Sequence, residues 1–239
     1  MVTAVPGVYF SCMARRPPCP GHPPDYVWVK SREKPHWRRK RGTVTEASLN
    51  SAYQVSNDRT KIVSPAAKRV RNALAPYMLG LTTGRLNVRI CNAFRKALKK
   101  NGRLGFACLR GMEMQRDYPL NSMLLCNYQV VVGEKNLRIE IPIDWSSVKP
   151  FNNLVTNYYF EAIVLWGDVN SGERFKTDSV ESALYSIRTE KKSVCVLELE
   201  KPEEDWCLLL KVTSHEGDQM AAHTKHYRMK VVGVDEGRK

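Results

Sequence analysis

Arginine and lysine, concentrated near the start of this sequence, are the residues best placed to do chemistry, and that chemistry is electrostatic contact with an anion. One group is the run Trp37, Arg38, Arg39, Lys40 and Arg41. A second is Lys68, Arg69 and Arg71, and a third spreads over Arg85, Arg89, Arg95, Lys96, Lys99 and Lys100. A guanidinium can fork onto two phosphate oxygens, and an ammonium adds a mobile point charge. Trp37, with His36 beside it, has the ring needed to stack on an exposed base.

The excess of charge is confined to one part of the chain. Over the whole length, 38 Lys+Arg stand against 24 Asp+Glu, a net charge of +14. Residues 1–103 hold 21 of the basic residues and only 4 of the acidic ones, whereas residues 104–239 are slightly acidic. Solubility alone does not require such segregation, which points to nucleic acid, DNA or RNA, met through its phosphate backbone. An acidic protein is the alternative partner. No sequence-reading motif for either nucleic acid is present.

Other chemistry finds less support. Cys12, Cys19, His22 and His36 supply ligand types, but their spacing matches no familiar zinc motif. His215, His223 and His226, near Glu216 and Asp218, form a second loose group that loop placement explains as well. There is no nucleophile elbow and no phosphate loop. Gly80-Leu-Thr-Thr-Gly84 lacks the lysine and the preceding strand, and Glu203-Glu-Asp205 reads as solvated acids in a turn. The expectation is a binding protein rather than an enzyme, with no metal and no cofactor. An enzyme with an unrecognised site would instead show a deep polar pocket in its β portion.

These residues need elements to position them. Residues 1–42 read as a basic, proline-rich leader, partly disordered, in which Tyr26–Lys30 is extended and Lys34–Gly42 is an exposed loop. Residues 43–120 form a basic helical region. The first helix opens at Ser64-Pro65, where serine caps and proline suits the first turn, and Pro76 and Gly80 close it. The polar stretch 43–61 has little helical signal.

A second helix runs from about Arg85 to Lys100 and stops at Gly102, with Leu86, Ile90, Ala93, Phe94 and Ala97 turned inward. Arg85, Arg89, Asn92, Lys96 and Lys99 follow steps of four and three along the opposite face, which Arg95 and Lys100 widen. Leu109–Leu120, punctuated by glycine and proline, reads as a structured connection in which the methionines pack.

Residues 121–239 change to strand periodicity. Leu137, Ile139, Ile141 and Ile143 alternate strictly, Leu124–Val132 precedes them across a hairpin at Gly133–Asn136, and Tyr158–Trp166 is almost wholly apolar. Further strands are expected near 173–177, 193–199, 206–213 and 226–234. The fold class is α+β: a basic N-terminal helical segment followed by an antiparallel β-sandwich-like domain.

The seven cysteines include no CxxC pair, and four of them sit in apolar segments, which favours a reducing, cytoplasmic compartment. No stretch reaches the ~18–20 apolar residues of a membrane span. Gly42–Asn50, the Ala66–Arg71 helix and the Gly111–Leu120 segment together resemble a loosely defined group of Bacteroidota proteins with no assigned activity, over roughly residues 40–165. The resemblance implies a bacterial origin and carries over no site residue.

Overall fold

The computed structural model describes residues 26–29, 36–39, 51–82, 84–124, 127–144, 155–186, 192–217, 219–220 and 223–235. The leader before residue 26, with Cys12, Cys19 and His22, lies outside them, as do Lys40, Arg41 and Asp218. Two compact units are distinguished, residues 1–54 and 55–239.

In the first unit, β1 (Tyr26–Val29) pairs antiparallel with β2 (His36–Arg39). The extended segment expected at Tyr26 is therefore present. The loop expected over Lys34–Gly42 is corrected at His36–Arg39, which is strand. Charge there does not oppose pairing, because alternate residues of a two-stranded ribbon face solvent: His36 and Arg38 are exposed, while Trp37 between them is half-buried.

The second unit, into which a helix runs from Ser51 at the end of the first, is α+β. Two helices, α1 (Ser51–Leu74) and α2 (Leu86–Asn101), precede strands β3 (Gln129–Val132), β4 (Asn136–Asp144), β5 (Asn157–Trp166), β6 (Lys176–Glu181), β7 (Tyr185–Ser186), β8 (Lys192–Glu200), β9 (Trp206–Glu216), β10 (Gln219–Met220) and β11 (Tyr227–Val234). β5 and β9 are central to one antiparallel sheet: β5 also pairs with β6 and β7, and β9 with β10 and β11. β3, β4 and β8 form a second antiparallel sheet.

Alternation along β5 and β9 feeds two apolar clusters. Ile163, Leu165, Cys207 and Leu209 point to the side where α1 contributes Val63, Ala67, Val70 and Leu74 and α2 contributes Leu86, Ile90 and Phe94. Tyr158, Phe160, Ala162, Val164, Leu208 and Leu210 point the other way, toward Leu137, Ile139 and Ile141 of β4 and Cys195 and Leu197 of β8. The helical region and the β region thus share the larger sheet, so a division at residue 120 does not separate two independent cores.

The first helix begins at Ser51, not at Ser64. Its opening half is exposed, and burial starts only at Val63, so no apolar periodicity marks those turns. Pro65 lies inside the helix on an exposed position, where one turn is left without its usual backbone hydrogen bond. Pro76 falls in a 3-10 turn over Ala75–Met78, which ends the helix as its sequence suggests. Gly80 then adopts φ +80°, with the Tyr227 ring so close that no side chain would fit. The second helix matches its expected limits, stopping at Gly102 in the left-handed conformation.

Among the strands, β3 is shorter than expected, and β6 begins at Lys176 rather than 173. Pro142 is tolerated in β4 because β3 pairs no further than Glu140, leaving that side of Pro142 an open edge. The 109–120 connection is structured: Gly111 and Met114 donate backbone N–H bonds to Val231 and Met229, and Met112 accepts one from Val231. Met114 is buried in the helix-side cluster and Met112 packs against it, as packing methionines should. A register shift between Val231 and Gly233 lets both Val231 and Val234 reach the helix-side cluster.

One ionic contact interrupts the apolar centre. Lys211 Nζ lies 2.9 Å from Glu161 Oε2, a cross-strand pair between β9 and β5 with both side chains largely buried. Each charge is tolerable only in the presence of the other. Lys211→Met alone should therefore lower the unfolding free energy by about 3–5 kcal/mol. Adding Glu161→Leu should recover most of that loss in urea titrations; a double variant as unstable as the single would contradict this account.

Candidate functional site

The basic residues divide by what their side chains touch. Arg69 donates to the Val169 carbonyl at 2.8 Å and its guanidinium lies over the Phe175 ring. Arg89 donates to the carbonyls of Glu113 and Met114 at 2.5 and 2.7 Å, and burial together with nearby Arg116 lowers its pKa. Arg95 donates to Asn92 Oδ1 of its own helix and, at 3.4 Å, to Thr60 Oγ1 of α1. These three arginines tie segments together. The fixed stripe expected along α2 is thus interrupted at Arg89, whose fork is spent on backbone carbonyls.

Lys68, Arg71, Arg85, Lys96, Lys99 and Lys100 are exposed. None of them forms an ion pair among the described residues. In the first unit, Trp37 meets Trp28 of the paired strand, with ring centroids 5.2 Å apart and the rings tilted by 57°. Arg38 and His36 are exposed on the opposite side of that ribbon.

Beside the C-terminal half of α2 lies an open groove of about 950 Å³, within the size range of ligand sites. Its basic wall is Arg89, Lys96, Lys100 and Arg103; its acidic wall is Glu203, Glu204, Asp205 and Asp235. Glu203-Glu-Asp205 are exposed acids in the turn before β9, as the sequence suggests, and they also line the groove. Nothing in the sequence singles out Arg103 or Asp235. No linear signal joins them: the β8–β9 turn and the end of β11 are brought to the C-terminal end of α2 only by the sheet topology.

Main-chain bonds hold the acidic wall, and a side-chain amide holds Leu104. Gly167 donates to the Asp205 carbonyl at 3.0 Å, and Asp235 donates to the Trp206 carbonyl at 2.9 Å. The Asn170 amide clasps both the N–H and the C=O of Leu104 at 3.3 Å, and Asp168 Oδ1 accepts from the Asn170 N–H at 2.8 Å. Although the residue is exposed, the Asp205 carboxyl is pushed above its ordinary value by desolvation at the groove and by Asp235 and Asp168, with Arg103 acting against them. Cys108, also in the groove, has its thiol pushed up to about 11 by burial, so it is a thiol and not a nucleophilic thiolate at neutral pH.

The histidine group assembles in part. His226 Nε2 is 3.9 Å from Glu216 Oε1, with burial and nearby Lys225 lowering its pKa. Among the described residues, no three His, Cys, Asp or Glu side chains are arranged to hold a metal ion. No described helix is long and apolar enough to cross a membrane.

Compared with known proteins, the chain matches no family model, no curated protein and no solved structure.

Arg89→Lys should cost about 2–3 kcal/mol of stability, since a lysine cannot fork onto both carbonyls; equal denaturation midpoints for variant and wild type would deny the anchor role. A raised Asp205 pKa contributes stability that is complete below the ordinary carboxyl value of 3.8 and is lost as the pH rises through the folded value. Asp205→Asn should therefore stabilise the protein at about pH 7 and leave it unchanged at about pH 3, in urea titrations at the two pH values.

Proposed function

We propose that this protein binds nucleic acid through the phosphate backbone, without catalysis, using the exposed cations of α2. The observation that carries the reading is the composition of that helix: Arg89, Arg95, Lys96, Lys99 and Lys100 occur with no acidic residue, and although Arg89 and Arg95 are engaged within the fold, the three lysines are exposed. Helices charged merely for solubility interleave both signs, because Glu–Lys pairs three or four residues apart stabilise them. Lys99 and Lys100 do complement the negative C-terminal end of the helix dipole, which accounts for two of the five.

Arg85 has no such account. It is the N-cap of α2, lacks a side-chain capping bond, puts a cation at the positive end of the dipole, and has φ +60°. A non-glycine residue in that conformation costs roughly 1–2 kcal/mol. A position that works against local stability is explained if its cation meets an anionic ligand, which the helix N-terminus also favours. Exposed Arg38 of the hairpin, with Lys68 and Arg71 of α1, would add contacts of the same kind.

The second reading is a protein-interaction module whose β layer, read as a sandwich, is the working part. It is favoured by Val131, Val194 and Val196, exposed on the outer face of the three-stranded sheet.

Fluorescence anisotropy with labelled single- and double-stranded DNA and RNA over a salt series tests the proposal. Affinity should fall linearly on a log–log plot. Lys96→Glu with Lys99→Glu should weaken binding to all sequences alike and flatten the slope by about 0.7–0.9 for each phosphate no longer neutralised. Arg85→Gly should raise stability by about 1 kcal/mol while weakening binding. Unchanged affinity in folded variants would defeat the helical-face reading.

A further inference from the structure

We infer that the groove beside α2 takes bases of a single strand, with the backbone on its lysine side and amino-bearing base edges on the wall formed by Glu203, Asp205 and Asp235. The inference rests on the nucleic-acid reading and adds which part of the ligand enters and which bases are preferred. Four basic and four acidic residues line the groove. A phosphate chain filling it would meet carboxylates on one side, so phosphates belong along Lys96 and Lys100 and something else must face the acids.

Carboxylates accept hydrogen bonds and offer none when ionised. They suit the exocyclic amino group of cytosine, whereas uracil presents a carbonyl oxygen at the same place and is repelled. A duplex commits the Watson–Crick edge to pairing and leaves only one N4–H in the major groove, so the whole amino edge is free only in an unpaired strand. The placing of Asp205 beside Asp235 and Asp168 acts in the same direction: N–H donors brought to this wall relieve carboxylate repulsion. Stacking does not compete as an explanation, since Phe106 is the sole aromatic among the lining residues and is buried. The groove is rigid where it reads, because its acidic wall sits on strand ends fixed by the Gly167–Asp205 and Asp235–Trp206 backbone bonds.

Cytidine and uridine oligomers of equal length are the discriminating probes, because they share size and backbone charge and differ at the amino or carbonyl group. Anisotropy at one low salt concentration should show about tenfold tighter binding of the cytidine oligomer. In Glu203→Gln with Asp205→Asn that preference should collapse while overall affinity holds or rises, since negative charge near the phosphates is removed. Equal binding of the two oligomers by the wild-type protein would overturn the inference and leave the phosphate reading intact. A preference that persists unchanged in the folded double variant would overturn the assignment to the acidic wall. No binding of either oligomer would overturn this inference, and no binding of duplex DNA or RNA in the same assay would overturn the phosphate reading as well. The wild-type comparison stands even if the double variant fails to fold.

Discussion

Burial of the β5–β9 pair on both faces is the constraint on which the second unit depends. Ten residue pairs run in register from Asn157–His215 to Trp166–Trp206, and almost every side chain between them is inaccessible to water. A two-stranded ribbon cannot bury itself on both sides, so each face requires a cover. The helices cover one and the three-stranded sheet the other. Glu161 and Lys211 are the exception that fits the rule, since a cross-strand ion pair neutralises two charges that neither cover could solvate. The groove follows from the same arrangement. With α2 held against the sheet by Leu86, Ile90 and Phe94, its polar side is left beside the strand-end loops.

What could be read from sequence divides along the same physical line. Segments with a marked apolar pattern were legible: the periodic Leu137–Ile143 and Leu86–Ala97 and the almost wholly apolar Tyr158–Trp166 each became the element expected of them. The first half of α1 was not, because exposed turns carry no apolar period and Ser64-Pro65 imitates a helix start. His36–Arg39 was hidden by its charge, which a solvent-facing ribbon tolerates. The basic residues were visible as types but not as roles. Nothing in the order Arg-x-x-x-Arg reveals that Arg89 will bond carbonyls 24 and 25 residues away, and the acidic wall arises from two chain segments that meet only in the folded sheet.

The division of labour between arginine and lysine is the clearest chemical pattern here. Arg69, Arg89 and Arg95 of the helices are engaged with carbonyls or side-chain oxygens, and buried Arg228 likewise donates to the Lys225 and Tyr227 carbonyls while covering the Tyr118 ring. A planar guanidinium can satisfy several acceptors at once and is weakly hydrated, so it serves as an internal clasp. The compact, strongly hydrated ammonium groups of Lys96, Lys99 and Lys100 stay in water. Counting formal charge therefore overstates the field available to a ligand: much of the arginine on these helices is already committed to the fold.

That reduction bears on how an anion would be held. With Arg89 engaged and Lys99 and Lys100 partly answering the helix dipole, α2 offers a modest positive edge rather than a deep basic cleft. Such an edge attracts phosphate but, screened by salt, discriminates poorly between ligands. Facing it across the groove, carboxylates weaken attraction further, a poor arrangement if affinity for bare charge were the only requirement. They make sense if the ligand carries hydrogen-bond donors as well as phosphates. Opposed walls then fix its orientation, and selectivity arises from what the acidic side rejects.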